Sequence, residues 1–304
     1  VSRKKQFIAA LVVIFTLATI AIFAGLLRNA SPPDNLVFKV GVLPNAEEEE
    51  LEHRHSPLLA YLSRETGWEF ELVLADSYES LLELFRTHEV NLAYFGGFTF
   101  IQANALYGAS PLVMRDIDSR ATTYVVVKAD GPLKDCFNLA CSGLAQARAF
   151  FGPKLSTSGY LMPRYFLMTE KGLAPEKAFG EVHYSLGHRA TARHVLDGEA
   201  DIGIINAATF RRMLRSGELK SGDLQIVWET PPYSNAVWAV QEELDERIKT
   251  KLRDAFLALD INNAEHMRIF SLQGARSYLP VGLSDFAPLM KSAESLGLLK
   301  PEQP

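Results

Sequence analysis

Three hydroxyls in a row, Ser156, Thr157 and Ser158, stand between Gly152-Pro153-Lys154-Leu155 and Gly159, and Leu161, Tyr165 and Met168 follow at helical spacing. Turn residues that end one element and open a helix place these hydroxyls on its first turn. There the backbone N–H groups lack intrahelical partners, and the helix end carries roughly half a positive charge. Hydroxyl donors, free amides and a glycine that lets backbone approach a ligand together suit a small oxyanion. The same residue types also serve plain N-capping, and spacing alone does not separate the two readings. His188 opens a second helical stretch and, by itself, reads as a helix-start histidine.

Other chemistries find less support. Ser156, His188 and Asp201 name a triad, but no nucleophile-elbow sequence is present and Asp201 begins a buried-strand pattern, so no enzyme is expected. His53, Arg54 and His55 follow four glutamates, a charge run read as a solvated helix entrance rather than a metal site. No metal and no cofactor are expected. Cys136 and Cys141 are the only cysteines. A disulfide is the leading reading if the domain is exported, with free thiols and a soft-metal or arsenite thiolate pair as the alternatives.

The elements that must position these residues follow from composition and periodicity. The 304 residues are 48% hydrophobic and 22% charged, as expected for a chain that buries a core. The formal charge is −5, and without Arg3, Lys4 and Lys5 the remaining 28 basic residues face 36 acidic ones. Nucleic acid is therefore not an expected partner, and an anion must be held by local donors rather than by a broad positive field. Residues 36–43 (LVFKVGVL) form a buried-strand run. Ser56-Pro57 suits an N-cap and first helical position for a helix closed by Gly67, although Pro57 also fits inside a longer helix starting in the acidic run. Strand patterns at 68–74, 90–95, 147–151, 182–185 and 202–205 alternate with helical ones at 78–88, 158–169 and 190–196. Such alternation implies mainly parallel sheets with flanking helices. The β-rich segments 124–127 and 226–228 flank the second half where the chain can cross between lobes. A strand at 236–240 and a helix at 244–259 rejoin the first lobe. The expected division is 36–126 with 231–304 for the first lobe, 127–230 for the second, and 29–35 as linker.

Residues 7–27 are uncharged and follow Arg3, Lys4 and Lys5, long enough at about 1.5 Å per residue to cross a bilayer. A cleaved signal peptide is the rival, but the small-x-small pattern is poor, with Ile22 before Ala24 and Arg28 before Ala30. Residues 1–28 are thus read as a signal anchor with its basic end in the cytoplasm.

From about Val37 to Leu259 the chain resembles the phosphate, phosphite and phosphonate-binding proteins of ABC transporters. The matching stretches occur in order: VGVLP, LLAYLSRETG, LADSYESLLELFRTHEVNLAYFGG, STSGYLMPRYFL, SLGHRATARHVLDGEADIGIIN and VWETPPYSNAVW. The resemblance implies a two-lobed type 2 periplasmic-binding-protein fold of the α/β class with the anion in the interlobe cleft. It assigns Ser156, Thr157, Ser158 and Gly159 to the oxyanion, His188 to a donor and Tyr78 to a first-lobe phenol. Phe95 stands where many relatives have a phenol donor, while the adjacent Tyr94 is expected on the other face of the strand. Relatives that take amino-bearing ligands have carboxylates where this chain reads Asn206-Ala207-Ala208 and Tyr233-Ser234-Asn235, so Asn206, Ser234 and Asn235 imply phosphite, phosphate or methylphosphonate. The implied partner is an ABC transporter permease in the bacterial inner membrane, with the binding lobes in the periplasm. The anchor favours the alternative of a tethered sensor that signals to a histidine kinase. After expression, the intact chain is expected to remain with membranes through a carbonate wash; a soluble species beginning near Ser31 would overturn the anchor.

Overall fold

A computed structural model describes residues 35–299. The apolar run 7–27 lies outside them, and among the described residues no helix is long and apolar enough to cross a membrane. The strands are β1 (Val37–Val42), β2 (Glu69–Val73), β3 (Leu92–Phe95), β4 (Ala109–Arg115), β5 (Thr123–Lys128), β6 (Arg148–Phe151), β7 (Glu181–Tyr184), β8 (Ile202–Asn206), β9 (Leu224–Glu229), β10 (Val237–Gln241) and β11 (Tyr278–Pro280). The helices are α1 (Glu48–Thr66), α2 (Tyr78–Arg86), α3 (Gly97–Tyr107), α4 (Met162–Glu170), α5 (Pro175–Ala178), α6 (His188–Leu196), α7 (Ala207–Ser216), α8 (Glu246–Leu257), α9 (Ala264–Gln273) and α10 (Ala287–Ser295).

Two sheets define two lobes, ordered β11-β4-β10-β3-β1-β2 and β7-β6-β8-β5-β9. Both are mixed rather than mainly parallel. β1 runs parallel to β2 and β3, but β10 enters antiparallel between β3 and β4. In the second sheet β6 runs parallel to β7 and β8, while β5 lies antiparallel between β8 and β9. The strands that bring the chain into the second lobe and back to the first insert beside the cleft, against the direction of their neighbours. All of β5 belongs to the second sheet, so the first crossing precedes the expected boundary at 126. The two crossings are held together by an antiparallel bridge, in which the Ala121 and Tyr233 amides each donate to the other's carbonyl at 3.0 Å.

The central strands of each sheet are buried on both faces, and alternate residues along them pack into opposite layers. In the first, Val40, Val42, Tyr94 and Trp238 face α1 and α8, whereas Ala93, Phe95, Val237 and Ala239 face α2 and α3. α1 takes the longer of the two expected courses, beginning in the acidic run and containing Pro57. Glu48, Glu49 and Glu50 complement the positive helix end, and the extra turns bury Leu51, Arg54 and His55 along with Leu58 and Leu62. This burial offsets the loss of one backbone hydrogen bond at Pro57. The helix ends at Gly67, whose φ of 73° is a left-handed cap.

Cys136 and Cys141 are bonded, with Cα atoms 5.2 Å apart, and Cys136 packs into the second-lobe core. A loop this short constrains the unfolded chain by about 2 kcal/mol. Reduction is expected to lower Tm by a few degrees, and labelling of denatured, unreduced protein should find no free thiol; full labelling would refute the bridge.

His55 is 1% exposed against Tyr94 and Trp238, and burial together with the charges of Arg54 and Arg115 pushes its pKa down to about 3. It is neutral in the fold but protonates near 6.5 when unfolded, so the unfolded state binds the extra proton between these values. Stability is then complete above pH 6.5 and falls with pH by up to about 1.4 kcal/mol per unit toward pH 3. His55→Gln should lose less Tm than the wild type between pH 7 and 4.5; equal losses would show that His55 does not set the slope.

Candidate functional site

Strands that end at the cleft deliver helix N-termini to it, the arrangement in which open α/β sheets bind ligands. α2 begins with Tyr78 behind a reciprocal Ser77–Ser80 capping box, and Gly96 caps α3. His188 is the first residue of α6, and Asn206 caps α7 by accepting from the Ala208 and Thr209 amides at 3.0 and 3.2 Å. All these N-terminal residues line one cavity of about 210 Å³ together with Ser156, Thr157 and Ser158. Several partial positive charges thus converge without requiring a positively charged domain.

The hydroxyl turn opens with a wide π turn, Thr157–Leu161, before α4. Ser156 performs the capping role, accepting from the Gly159 amide at 3.0 Å, and its side chain also meets the Tyr78 phenol. Thr157 Oγ1 accepts from the Phe98 amide of the opposite lobe at 2.8 Å, so its own proton is free for a ligand. The Ser158 carbonyl is held by Thr123 Oγ1 at 2.8 Å, and its hydroxyl lies 3.1 Å from His188 Nε2. The Asn206 amide donates to His188 Nδ1 at 3.2 Å, which leaves the neutral ring's proton on Nε2, facing the hydroxyl turn. Burial, opposed by a backbone contact at Ile204 and reinforced by Arg212, pushes the His188 pKa down to about 4. Burial raises the Tyr78 phenol to about 12, so at neutral pH both groups are uncharged donors.

A second set of residues was not assigned to the site from sequence: Tyr94 was expected to face away and Arg54 to be solvated, while Arg115, Asp118 and Arg212 stand in no motif. Tyr94, Arg115, Asp118, Arg54 and Arg212 also line the cavity. Asp118 accepts from Arg115 Nε at 2.6 Å, the Tyr94 hydroxyl at 3.1 Å and Asn235 Nδ2 at 3.2 Å. Arg54 is paired with Glu50 and donates to Asn45 Oδ1 at 3.0 Å. Arg212 reaches Thr209 Oγ1 at 3.2 Å, and its buried Nε has no hydrogen-bond partner among the described residues. Burial, followed by the charges of Arg54 and Arg189, lowers Arg212 to about 10, so it remains a cation. Across the mouth, Arg189 of α6 pairs with Glu50 of α1 at 2.5 Å and joins the lobes in a closed arrangement.

Ser156, Thr157, Ser158, His188, Tyr78, Asn206 and Asn235 are brought together, but three expected residues are not. Phe95 is fully buried on the far face of β3, edge-on to Phe85 with centroids 5.2 Å apart. Strand alternation turns Tyr94, its neighbour, toward the cavity. Gly159 packs against Gly152, where an added Cβ would lie 2.8 Å from Gly152 Cα, so the glycine serves chain packing rather than ligand approach. Ser234 donates to the Asp285 carbonyl at 2.8 Å and does not line the cavity. The named triad is not assembled, because Asp201 accepts from the Arg148 amide and guanidinium. Among the described residues no cluster of His, Cys, Asp or Glu could hold a metal. Arg54 could have been found from helix spacing, since Leu51, Arg54, His55, Leu58 and Leu62 mark one face of α1.

The chain is similar to several known proteins. The chain is 28% identical over 268 residues, covering 86% of itself and 89% of its relative, to the "Probable ABC transporter phosphite binding protein PhnD1" of Prochlorococcus marinus (strain MIT 9301). It is 27% identical over 236 residues to the phosphate-import protein PhnD of Mycolicibacterium smegmatis, covering 73% of itself and 71% of that protein. The structure of the Prochlorococcus protein in complex with methylphosphonate superposes with a TM-score of 0.79 at 26% identity, over 86% of this chain and 99% of the other. The family model described as "ABC transporter, phosphonate, periplasmic substrate-binding protein" matches residues 40–286. The chain therefore belongs to the phosphonate periplasmic substrate-binding proteins of ABC transporters.

Proposed function

We infer that the chain captures a small phosphorus oxyanion between its lobes and, once closed on it, presents it to an ABC importer permease. The observation that carries this reading is the convergence of the Ser156–Thr157–Ser158 hydroxyls and His188 with the N-termini of α2, α3, α6 and α7 on one cavity. A phosphonate head has several oxygens that must each replace water, and here hydroxyl, imidazole, phenol and amide donors surround one point. The relatives' named ligands, phosphite, phosphate and methylphosphonate, are the candidates.

The crossings at 119–122 and 230–235 serve as the hinge, and closure brings Tyr78 of the first lobe onto Ser156 of the second. No group in this arrangement is poised to break a bond, and the reading is one of binding rather than catalysis. The cavity faces the periplasm, with residues 7–27 as a tether in the inner membrane.

Calorimetric titration of the full chain in detergent tests the site. Charge-assisted hydrogen bonds contribute about 1.5 to 3 kcal/mol each, so Ser156→Ala and Thr157→Ala should each weaken methylphosphonate binding about tenfold or more. Thr157→Ser, which retains the hydroxyl, should recover most of the loss. Unchanged affinity in both alanine variants would remove the site.

A further inference from the structure

The cavity contains more positive charge than a phosphonate head requires, and its distribution is uneven. Six arginines line it (Arg54, Arg115, Arg120, Arg211, Arg212 and Arg215) against one carboxylate, Asp118. This occurs in a chain with an overall excess of acids, so the charge is local to the cavity. Arg54 and Arg115 are each matched by a carboxylate, Glu50 and Asp118. Arg211 donates to the Tyr124 hydroxyl at 2.8 Å. Arg212 has only the Thr209 hydroxyl, and its buried Nε has no hydrogen-bond partner among the described residues. A half-buried guanidinium whose Nε is shut off from water with its donor unused is costly unless an anion completes it.

We propose that Arg212, facing Arg54 across the cleft, forms a second anion subsite beside the hydroxyl turn, and that the preferred ligands are phosphonates bearing a carboxylate one or two carbons from phosphorus. The proposal rests on the oxyanion reading above and specifies the ligand's other end. Arg212, His188 and Ser158 line the same cavity, and His188 Nε2 lies 3.1 Å from Ser158 Oγ, so the two subsites adjoin. The volume allows such a ligand: liquid water occupies about 30 Å³ per molecule, and 210 Å³ therefore holds roughly seven water-sized units. Methylphosphonate, with one phosphorus, three oxygens and one carbon, leaves part of that space unused. An aminoalkyl tail fits the charges badly. Asp118 is already occupied by three donors, and an ammonium group would meet an unpaired guanidinium instead.

The test is calorimetry on the full chain in detergent with methylphosphonate, phosphonoacetate, 3-phosphonopropionate and 2-aminoethylphosphonate, for the wild type and Arg212→Gln. The expected result is that one of the two carboxylate-bearing ligands binds about tenfold or more tighter than methylphosphonate, and 2-aminoethylphosphonate weaker than all. Arg212→Gln should abolish that ratio, and Arg212→Lys should preserve part of it. If methylphosphonate binds as well as both carboxylates, or the ratio survives in Arg212→Gln, the second subsite is wrong and the oxyanion site stands. If the wild type binds none of these ligands, nor phosphite or phosphate, the underlying reading fails and the proposal falls with it.

Discussion

The hydrogen bond from the Phe98 amide to Thr157 Oγ1 crosses the cleft at its centre and constrains nearly everything around it. It brings the N-terminus of α3 on one lobe against the hydroxyl turn that precedes α4 on the other. Gly96 suits that approach, since a Cβ there would stand 3.3 Å from the threonine oxygen and push it back by a few tenths of an ångström. With the amide accepted on one lone pair, the hydroxyl proton stays available to a ligand. Only with the lobes at this separation do Tyr78 and Ser156 meet, and only then do both sets of helix ends act on one volume.

Electrostatics explains how a net-negative chain can select an anion. Long-range attraction contributes little, because the surface is dominated by carboxylates and is screened by salt within about 10 Å. Selection instead comes from donors fixed in advance in a site with little water. The neutral state of His188 belongs to the same design: an imidazole that stays uncharged at neutral pH donates one hydrogen bond without adding to the repulsion among the arginines. Asp118 prevents the opposite error. By holding Arg115, Tyr94 and Asn235 together it spends its acceptor capacity within the protein and ties the cavity floor to the hinge, where the Asn235 amide also donates to its carbonyl at 2.8 Å.

Much of the fold was legible because its signals are local. The strands and helices that bury one face, such as α2 with Leu81 and Phe85, show their period directly. α3 showed no such signal: Phe98, Thr99, Phe100, Ile101 and Ala103 are all buried, and the exposed Ala105 and Leu106 are themselves apolar, so no polar face marks its period. The direction of β5 and β10 was equally hidden, since antiparallel insertion depends on where a crossing returns and not on the residues of the strand. At the site, the hydroxyl turn and the helix-start histidine were readable as types and spacings. Phe95 and Tyr94 were not assigned correctly, because alternation states that neighbours face opposite sides but not which side holds the ligand. Arg54 was lost in a charge run in which most residues are solvated, although its own phase on the helix points inward.

The facing guanidiniums of Arg54 and Arg212 have a consequence for signalling between receptor and permease. With the lobes closed around nothing, Arg212 meets the charge of Arg54, which Glu50 offsets only in part, and the remaining repulsion opposes that state. An anion between them turns repulsion into a bridge. An anion in the cleft therefore favours the closed shape by as much as it binds that shape better than the open one.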